Sequence, residues 1–126
     1  MTKHPSSVLI TGASSRIGQA LAMVYADNMV YADKTWNLAI NGCDAKRLKM
    51  AKIACKHKNA SVSCRAVDVM DQKGMRRWIE TIDDAAPFDL VIAKAGISAG
   101  SGSGSETHKQ AREIFSINFE GMLNTI

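Results

Sequence analysis

Short apolar runs and segments with helical spacing alternate along the whole chain, and this alternation limits the fold more than any other feature. The strand-like runs are Val8–Ile10, Trp36–Ile40, Ser61–Val67 and Asp89–Ala93, and a helix-like segment follows each of them. The order β-α-β-α-β-α-β-α predicts an α/β fold with parallel strands and helices on both faces of the sheet. The runs VLI and LVIA lack polar alternation, which is typical of parallel strands buried on both faces.

Local signals predict where the helices begin. The first helix is expected from about Arg16, and Asp44 and Asp71 stand where they can cap the second and third helices. Ser103 and Glu106 have the spacing of a capping box, which predicts the start of the last helix. Helical spacing in that last helix predicts one buried stripe, made of Ala111, Ile114, Phe115, Asn118, Phe119 and Met122.

The composition is that of one soluble domain and gives little reason to expect a nucleic-acid partner. Among 126 residues, 46% are hydrophobic and 22% are charged, and the formal net charge is +4. Seven basic residues lie within residues 46–65. Because no aromatic residues are interleaved with them, the solvated face of a helix explains them better than a nucleic-acid surface.

Membrane association and metal binding are not expected. No apolar stretch approaches the length of a bilayer-spanning helix, and the first residues lack the apolar core of a signal peptide. Cys43, Cys55 and Cys64 show no metal-ligand spacing. Reduced thiols predict a cytoplasmic protein without a metal site.

Residues 23–34, MVYADNMVYADK, contain a six-residue unit twice in tandem, with Lys34 in place of Asn28 as the single difference. If one helix continued through both copies, six residues would rotate it by about 600°, so the second copy would face about 120° away from the first. The copies therefore cannot pack in the same way. We interpret the duplication as an insertion without a function of its own, absorbed as a longer helix end or a loop.

A glycine-bearing turn, TGASSRIG at residues 11–18, joins the first strand to the first helix. Such a turn presents free backbone N–H groups and the positive end of the helix dipole, which together suit a pyrophosphate. Glycine is needed where the backbone turns tightly or where a ligand must approach it closely.

Four motifs together resemble the short-chain dehydrogenase/reductase family, the NAD(P)-dependent Rossmann oxidoreductases. TGASSRIG resembles the family's TGxxxGxG loop, and AVDV at residues 66–69 resembles the end of its third strand, where an Asp meets the adenine. AKAG at residues 93–96 is similar to its NNAG motif, and SINFEG at residues 116–121 to its V-N-x-x-G stretch. The resemblance implies a Rossmann-type doubly wound parallel sheet, incomplete with about four strands in the order 3-2-1-4, in a single NAD(P)-binding domain over residues 1–126.

The resemblance also implies roles for individual residues. Asn118 matches the family's asparagine, which holds a water-linked chain to the catalytic lysine. A buried Asn on an apolar stripe needs hydrogen bonds in any case, and a main-chain carbonyl would serve as well. The implied cofactor-binding residues are Gly12, Ser14, Ser15, Arg16, Ile17, Gly18, Asp68, Val69, Ala95 and Gly96.

Departures from the family pattern leave the choice of cofactor open. Arg16 stands at the middle glycine of the loop, and Lys94 replaces the second Asn of NNAG. Arg16 could pair with an adenosine-side phosphate, or its bulk could crowd the loop. Gly42 and Cys43 stand where the family places an Asp for NAD or an Arg for NADP. Either NADP or NAD fits, and Arg16 and the basic second helix slightly favour NADP.

The family's catalytic Tyr-x-x-x-Lys pair, which moves the proton of an alcohol or carbonyl substrate, has no counterpart here. The two tyrosines, Tyr25 and Tyr31, both lie in the duplication, and Lys34 is three residues after Tyr31 instead of four. One hypothesis is a truncated oxidoreductase that holds the dinucleotide half and whose family substrate is an unidentified small alcohol or carbonyl. The other is a non-catalytic remnant that binds a nucleotide weakly or serves as an assembly module.

The strand order also predicts self-association. In the order 3-2-1-4 the strand Asp89–Ala93 lies at the sheet edge, where a fifth strand normally pairs. Unpaired edge strands tend to find another strand, and the apolar stripe of the last helix adds a second uncovered surface. We therefore expect a homo-oligomer that buries both.

Overall fold

The computed structural model describes residues 5–28, 36–56, 60–96 and 107–126. Its strands are β1 (Ser7–Thr11), β2 (Trp36–Asn41), β3 (Ala60–Arg65) and β4 (Leu90–Ala93). Its helices are α1 (Arg16–Asn28), α2 (Ala45–Ala54), α3 (Gln72–Ala85), α4 (His108–Phe115) and α5 (Gly121–Leu123), and a π-helical turn (Ser116–Glu120) joins α4 to α5.

The strands form one parallel sheet in the order β3-β2-β1-β4. In its centre Val8 lies between Leu38 of β2 and Leu90 of β4, while β2 pairs with β3 along its whole length. The order reverses between β1 and β4, and a parallel sheet opens a crevice at the carboxyl ends of its strands at such a point. The α/β class and the strand order expected from the sequence are confirmed.

An apolar core covers each face of the sheet. Val8 and Ile10 point to the face covered by α1 and α2, whereas Leu9 points to the face covered by α3. All three side chains are fully buried. Alternate strand residues face opposite sides, so one apolar run supplies both cores. Each such side chain stabilises the fold by about 1.5–3 kcal/mol.

The caps of α2 and α3 are those predicted. Asp44 Oδ1 accepts a hydrogen bond from the Arg47 N–H at 3.0 Å, and Asp71 Oδ1 accepts one from the Gly74 N–H at 3.0 Å. Each carboxylate satisfies a backbone donor of the first turn that has no partner within the helix. These caps fix where the segments after β2 and β3 turn back along the sheet.

The predicted start of α4 is wrong. Thr107 is the N-cap: its Oγ1 accepts from the Gln110 N–H at 3.2 Å, and the Gln110 Oε1 accepts from the Thr107 N–H at 2.9 Å. The pair forms a capping box with the same spacing as Ser103 and Glu106, which lie outside the described residues. Two candidate boxes four residues apart look equivalent locally, and the second one begins the helix.

Strand β3 ends at Arg65, two residues before the predicted Val67. The cause is Asn41, whose Nδ2 donates to the Arg65 carbonyl at 3.2 Å and to the Val67 carbonyl at 2.8 Å. A side chain thus takes the place of a neighbouring strand, and the backbone leaves the sheet. Likewise β4 begins at Leu90 and not at Asp89.

The prediction of one buried stripe on the last helix is wrong. Phe115 and Phe119 are 68% and 48% exposed, and their rings stack with centroids 5.5 Å apart. The helix packs instead through Ile117, Gly121 and Thr125, which are four residues apart and share another face. Gly121 allows this face to approach closely, because a Cβ there would lie 2.6 Å from a methyl group of Val69.

The first copy of the tandem unit, residues 23–28, forms the end of α1. The second copy, residues 29–34, lies outside the described residues. How the insertion is absorbed therefore stays a prediction.

Candidate functional site

The turn after β1, residues 11–18, is called the glycine loop below. Gly12 has φ of +72°, in the left-handed region that favours glycine. A Cβ there would also come within 2.9 Å of the backbone N and Cα of Ala95. Gly18 faces the Gly12 carbonyl so closely that a side chain has no room. Glycine is required at both positions, and the loop lies directly against the chain that follows β4.

Ser15 holds the glycine loop in shape. Its Oγ donates to the Gly12 carbonyl at 2.9 Å and accepts from the Gly18 N–H at 3.1 Å. The Lys94 ammonium donates to the same oxygen at 2.7 Å. A hydroxyl offers one donor and two acceptor positions, so these three contacts use all of them.

A buried threonine joins the glycine loop to the end of β4. Thr11 is fully buried, and its Oγ1 accepts from the backbone N–H groups of Lys94 and Ala95, both at 3.1 Å. These bonds tie the first residue of the glycine loop to the segment that follows β4. Thr11 therefore links the two segments that flank the crevice at the reversal of strand order.

Asn41 shapes the neighbouring wall. Its side chain is buried, its backbone carbonyl accepts from the Ala13 N–H at 2.8 Å, and its Nδ2 binds two carbonyls after β3 as described above. Its Oδ1 has no partner among the described residues. Beside it, a Cβ on Gly42 would lie 2.6 Å from Ser14 Oγ, so β2 also meets the glycine loop closely.

These strand ends surround an open cavity of about 470 Å³. The structure brings seven of the predicted cofactor-binding residues to its lining: Gly12, Ser14, Ser15, Asp68, Val69, Ala95 and Gly96. Arg16, Ile17 and Gly18 do not line it. Arg16 and Ile17 are exposed on the first turn of α1, and Gly18 is buried beneath the loop. The predicted catalytic Asn118 is exposed, not buried as expected, and it is not in the lining, although its Oδ1 lies 2.6 Å from where a Cβ on Gly96 would stand.

The cavity lining also contains residues for which no binding role was predicted: Asn41, Gly42, Cys43, Asp44, Arg47, Val67, Lys94 and Ile117. Arg47 lies in the first turn of α2, three residues after the cap Asp44. The signal that could have found it is topological, since all carboxyl ends of a parallel sheet meet at one edge. Lys94 and Gly42 appeared in the sequence only as departures from a family pattern.

Two cations and two carboxylates line the cavity. Arg47 Nε lies 3.5 Å from Asp44 Oδ2, and the Arg47 side chain is 73% exposed, so the pair contributes little to stability. Asp68 Oδ1 accepts a hydrogen bond from a backbone N–H two residues later at 2.9 Å. Lys94 belongs to neither ion pair found within the described residues.

The three cysteines differ in exposure. Cys43 is exposed and lines the cavity, and Cys64 is half-buried. Burial in the core that α1 and α2 cover, and to a smaller degree the negative charge of Asp27, raises the pKa of Cys55 to about 11. Cys55 therefore stays a thiol at neutral pH. Among the described residues, no group of three or more His, Cys, Asp or Glu side chains is arranged to hold a metal ion.

No helix in the ranges that the structure describes combines the length and the apolar character that crossing a bilayer requires.

A parallel sheet in the order 3-2-1-4, with a glycine loop and a helix N-terminus at the reversal of strand order, defines a Rossmann-type α/β domain. The profile of the family described as short chain dehydrogenase matches residues 6–126. The chain belongs to this family, and the resemblance carried by the four motifs is confirmed.

Solved structures share the fold. NAD+-bound xylitol dehydrogenase superposes with a TM-score of 0.81 at 19% identity, covering 95% of this chain and 45% of that one. A short chain dehydrogenase from Mycobacterium paratuberculosis bound to NAD gives 0.80 at 20% identity, covering 94% of this chain and 47% of that one. A short-chain type dehydrogenase/reductase from Mycobacterium marinum gives 0.78 at 20%, covering 95% and 47%.

The chain thus spans less than half of the length of these structures. At such identities the likeness shows the fold alone. No curated protein is significantly similar to the chain in sequence.

Proposed function

We propose that this chain binds a nicotinamide dinucleotide in the cavity at the carboxyl ends of its strands, as the cofactor-binding half of an oxidoreductase that acts on an alcohol or carbonyl. The observation that carries the proposal is the left-handed Gly12, φ +72°, packed against the backbone of Ala95. This geometry keeps side chains away from the N-terminus of α1, where phosphate oxygens can approach the backbone N–H groups.

The residues present fit such a cofactor. The cavity of about 470 Å³ is lined by three glycines, Gly12, Gly42 and Gly96, which extend no side chain into it. The glycine loop and the N-terminus of α1 would hold the pyrophosphate, and Asp68 and Val69 would contact the adenine. When bound, the nicotinamide ring supplies hydride transfer. This chain's own part is to bind and orient the cofactor.

The acid–base part of the chemistry has no residue pair in this chain. Asn118 approaches Gly96 beside the cavity, so it can position a group near the nicotinamide end. No tyrosine is followed four residues later by a lysine within residues 1–126. We infer that this polypeptide alone binds the cofactor without turning over a substrate.

Arg47 and Asp44 bear on the choice between NADP and NAD. Both line the cavity at the end of β2, while Arg16 does not. A guanidinium favours the 2′-phosphate of NADP, and a carboxylate can accept from the free 2′-hydroxyl of NAD. The two groups lie 3.5 Å apart, so the end of β2 offers a partner for either cofactor, and Arg47 is the residue that would favour NADP.

A second candidate function is assembly, favoured by the uncovered apolar surfaces. Val91 of β4 is 38% exposed at the sheet edge, and the stacked Phe115 and Phe119 are exposed on the last helix. We propose that a second copy of the chain covers these surfaces.

Titration calorimetry with NAD and NADP tests cofactor binding, with Gly12→Val as the disabling variant. Valine at φ +72° is strained and its Cβ meets the Ala95 backbone, so binding should be lost. Lys73→Asn, an exposed change on α3, is the control, and circular dichroism checks that both variants fold. Tight binding that survives Gly12→Val would mean that the ligand binds elsewhere.

A further inference from the structure

Lys94 follows β4 and extends its side chain across the reversal of strand order to the glycine loop. Its ammonium donates to Ser15 Oγ at 2.7 Å, and its backbone N–H donates to Thr11 Oγ1 at 3.1 Å. The residue is half-buried and lines the cavity. Both ends of the lysine are therefore tied to the loop, and the ammonium is held beside the first turn of α1.

No carboxylate neutralises this ammonium within the described part of the chain. Asp44 also lines the cavity, but it caps α2 and lies beside Arg47, and Asp68 accepts from the backbone of Met70. A cation next to the positive end of a helix dipole is unfavourable on its own. An anion bound at the N-terminus of the 13-residue α1 removes that cost, because it is attracted both to the Lys94 ammonium and to the positive end of the helix dipole.

We propose that Lys94, together with the N-terminus of α1, binds the phosphate groups of the nucleotide, so that this chain takes nucleoside diphosphates such as ADP without the nicotinamide half. The inference rests on the proposed function, because it concerns the same cavity. An ammonium has three donors and Ser15 uses one, so two are left for phosphate oxygens. The neutral Asn of the family's motif at this position offers no charge.

Two consequences separate this role from a purely structural one. Hydrogen bonds between an ammonium and a phosphate are short and charge-assisted, so ADP and ADP-ribose bind more tightly than adenosine, which has no phosphate. The contribution of Lys94 also weakens as salt is added, because the site is open to solvent and ions screen it.

The experiment is titration calorimetry of the 126-residue chain with ADP, ADP-ribose, NAD and adenosine, at low and at physiological salt. Lys94→Asn restores the family's residue and removes the charge, and Lys94→Arg keeps the charge. Lys73→Asn, exposed on α3 and outside the cavity lining, is the matched control. We expect Lys94→Asn to weaken ADP binding about tenfold or more, as losing one hydrogen bond to a charged group predicts. The control should bind like the parent, and Lys94→Arg should retain most of the affinity and of the salt dependence.

Three results would overturn the inference. ADP binding that is equal or tighter in Lys94→Asn would mean that the lysine does not contact phosphate, while NAD binding by the same variant would leave the proposed function intact. If the parent chain bound adenosine as tightly as ADP, without salt dependence, the phosphate contact would also be refuted, and this result does not require Lys94→Asn to fold. A parent that binds neither ADP nor a dinucleotide would overturn the proposed function together with the inference.

Discussion

Replacing Asn41 by aspartate tests how the wall of the cavity is held. The substitution keeps the shape of the side chain, so it creates no void, but it exchanges the donating Nδ2 for a second acceptor. The carbonyls of Arg65 and Val67, now bonded at 3.2 and 2.8 Å, then face a carboxylate. Losing two such bonds costs about 1–3 kcal/mol, and an unpaired buried charge adds more.

The loss of unfolding free energy in Asn41→Asp should grow as pH rises. Burial favours the neutral acid, so the pKa of Asp at position 41 is raised in the folded protein above its unfolded value of about 3.9. Between the two pKa values the folded state binds the extra proton, and stability falls by up to about 1.36 kcal/mol per pH unit as pH rises. At low pH the neutral acid can donate one hydrogen bond and recover part of the loss.

Urea denaturation of Asn41→Asp at several pH values measures this, with Asn37→Asp as the control on the same strand. Asn37 is only half-buried. We expect Asn41→Asp to lose at least about 2 kcal/mol of unfolding free energy at pH 7, and less at pH 4. If both variants lost equal, pH-independent amounts, the side-chain bonds of Asn41 would not hold the segment after β3.

Four other predictions concern turnover, the choice of cofactor, self-association and cysteine labelling. The 126-residue chain should not oxidise alcohols or reduce carbonyls with either nicotinamide cofactor, and turnover abolished by Asn118→Ala would contradict this. Arg47→Ala should weaken NADP binding about tenfold while NAD binding changes little, and an equal loss for both would exclude a 2′-phosphate contact. Light scattering should show a smaller species for Val91→Lys than for the parent, whereas a parent that is monomeric at high concentration would refute self-association. Since the pKa of Cys55 is about 11, iodoacetamide at pH 8 should label exposed Cys43 and leave Cys55 until the protein unfolds.

The fold could be predicted because its signals are local. The run Val8–Ile10 and the capping residues Asp44 and Asp71 each act on their own neighbourhood, and the strand order came with the family's motifs. The exposure of Phe115 and Phe119 could not be predicted in this way. A helical stripe says which residues share a face, but only the packing partner, here Val69 against Gly121, decides which face is buried.

The cavity was predictable where a motif marks it and not elsewhere. Gly12 and Asp68 belong to recognisable stretches, and both line the cavity. Asn41 and Arg47 belong to no motif, and they matter only because β2 ends beside β1 and β3. The sequence showed that Lys94 departs from the family pattern, but its contact with Ser15 requires the reversal of strand order, which brings residues 79 positions apart together.

Because alternate residues of β1 fill opposite cores, this strand cannot gain or lose a single residue without disturbing both. Inserting or deleting a single residue in β1 before Val8 would turn Leu9 toward α1 and α2 and turn Val8 and Ile10 toward α3, so both cores would receive the wrong side chains. The tandem duplication adds six residues between the body of α1 and Trp36, and it ends before β2 begins. Because the added residues lie outside the strands, no strand side chain is moved to the opposite face of the sheet. A chain of this kind can therefore gain residues in the segments that connect its strands and keep its fold. Its central strand can accept substitutions, but not an insertion or deletion that reverses which side chains face each core.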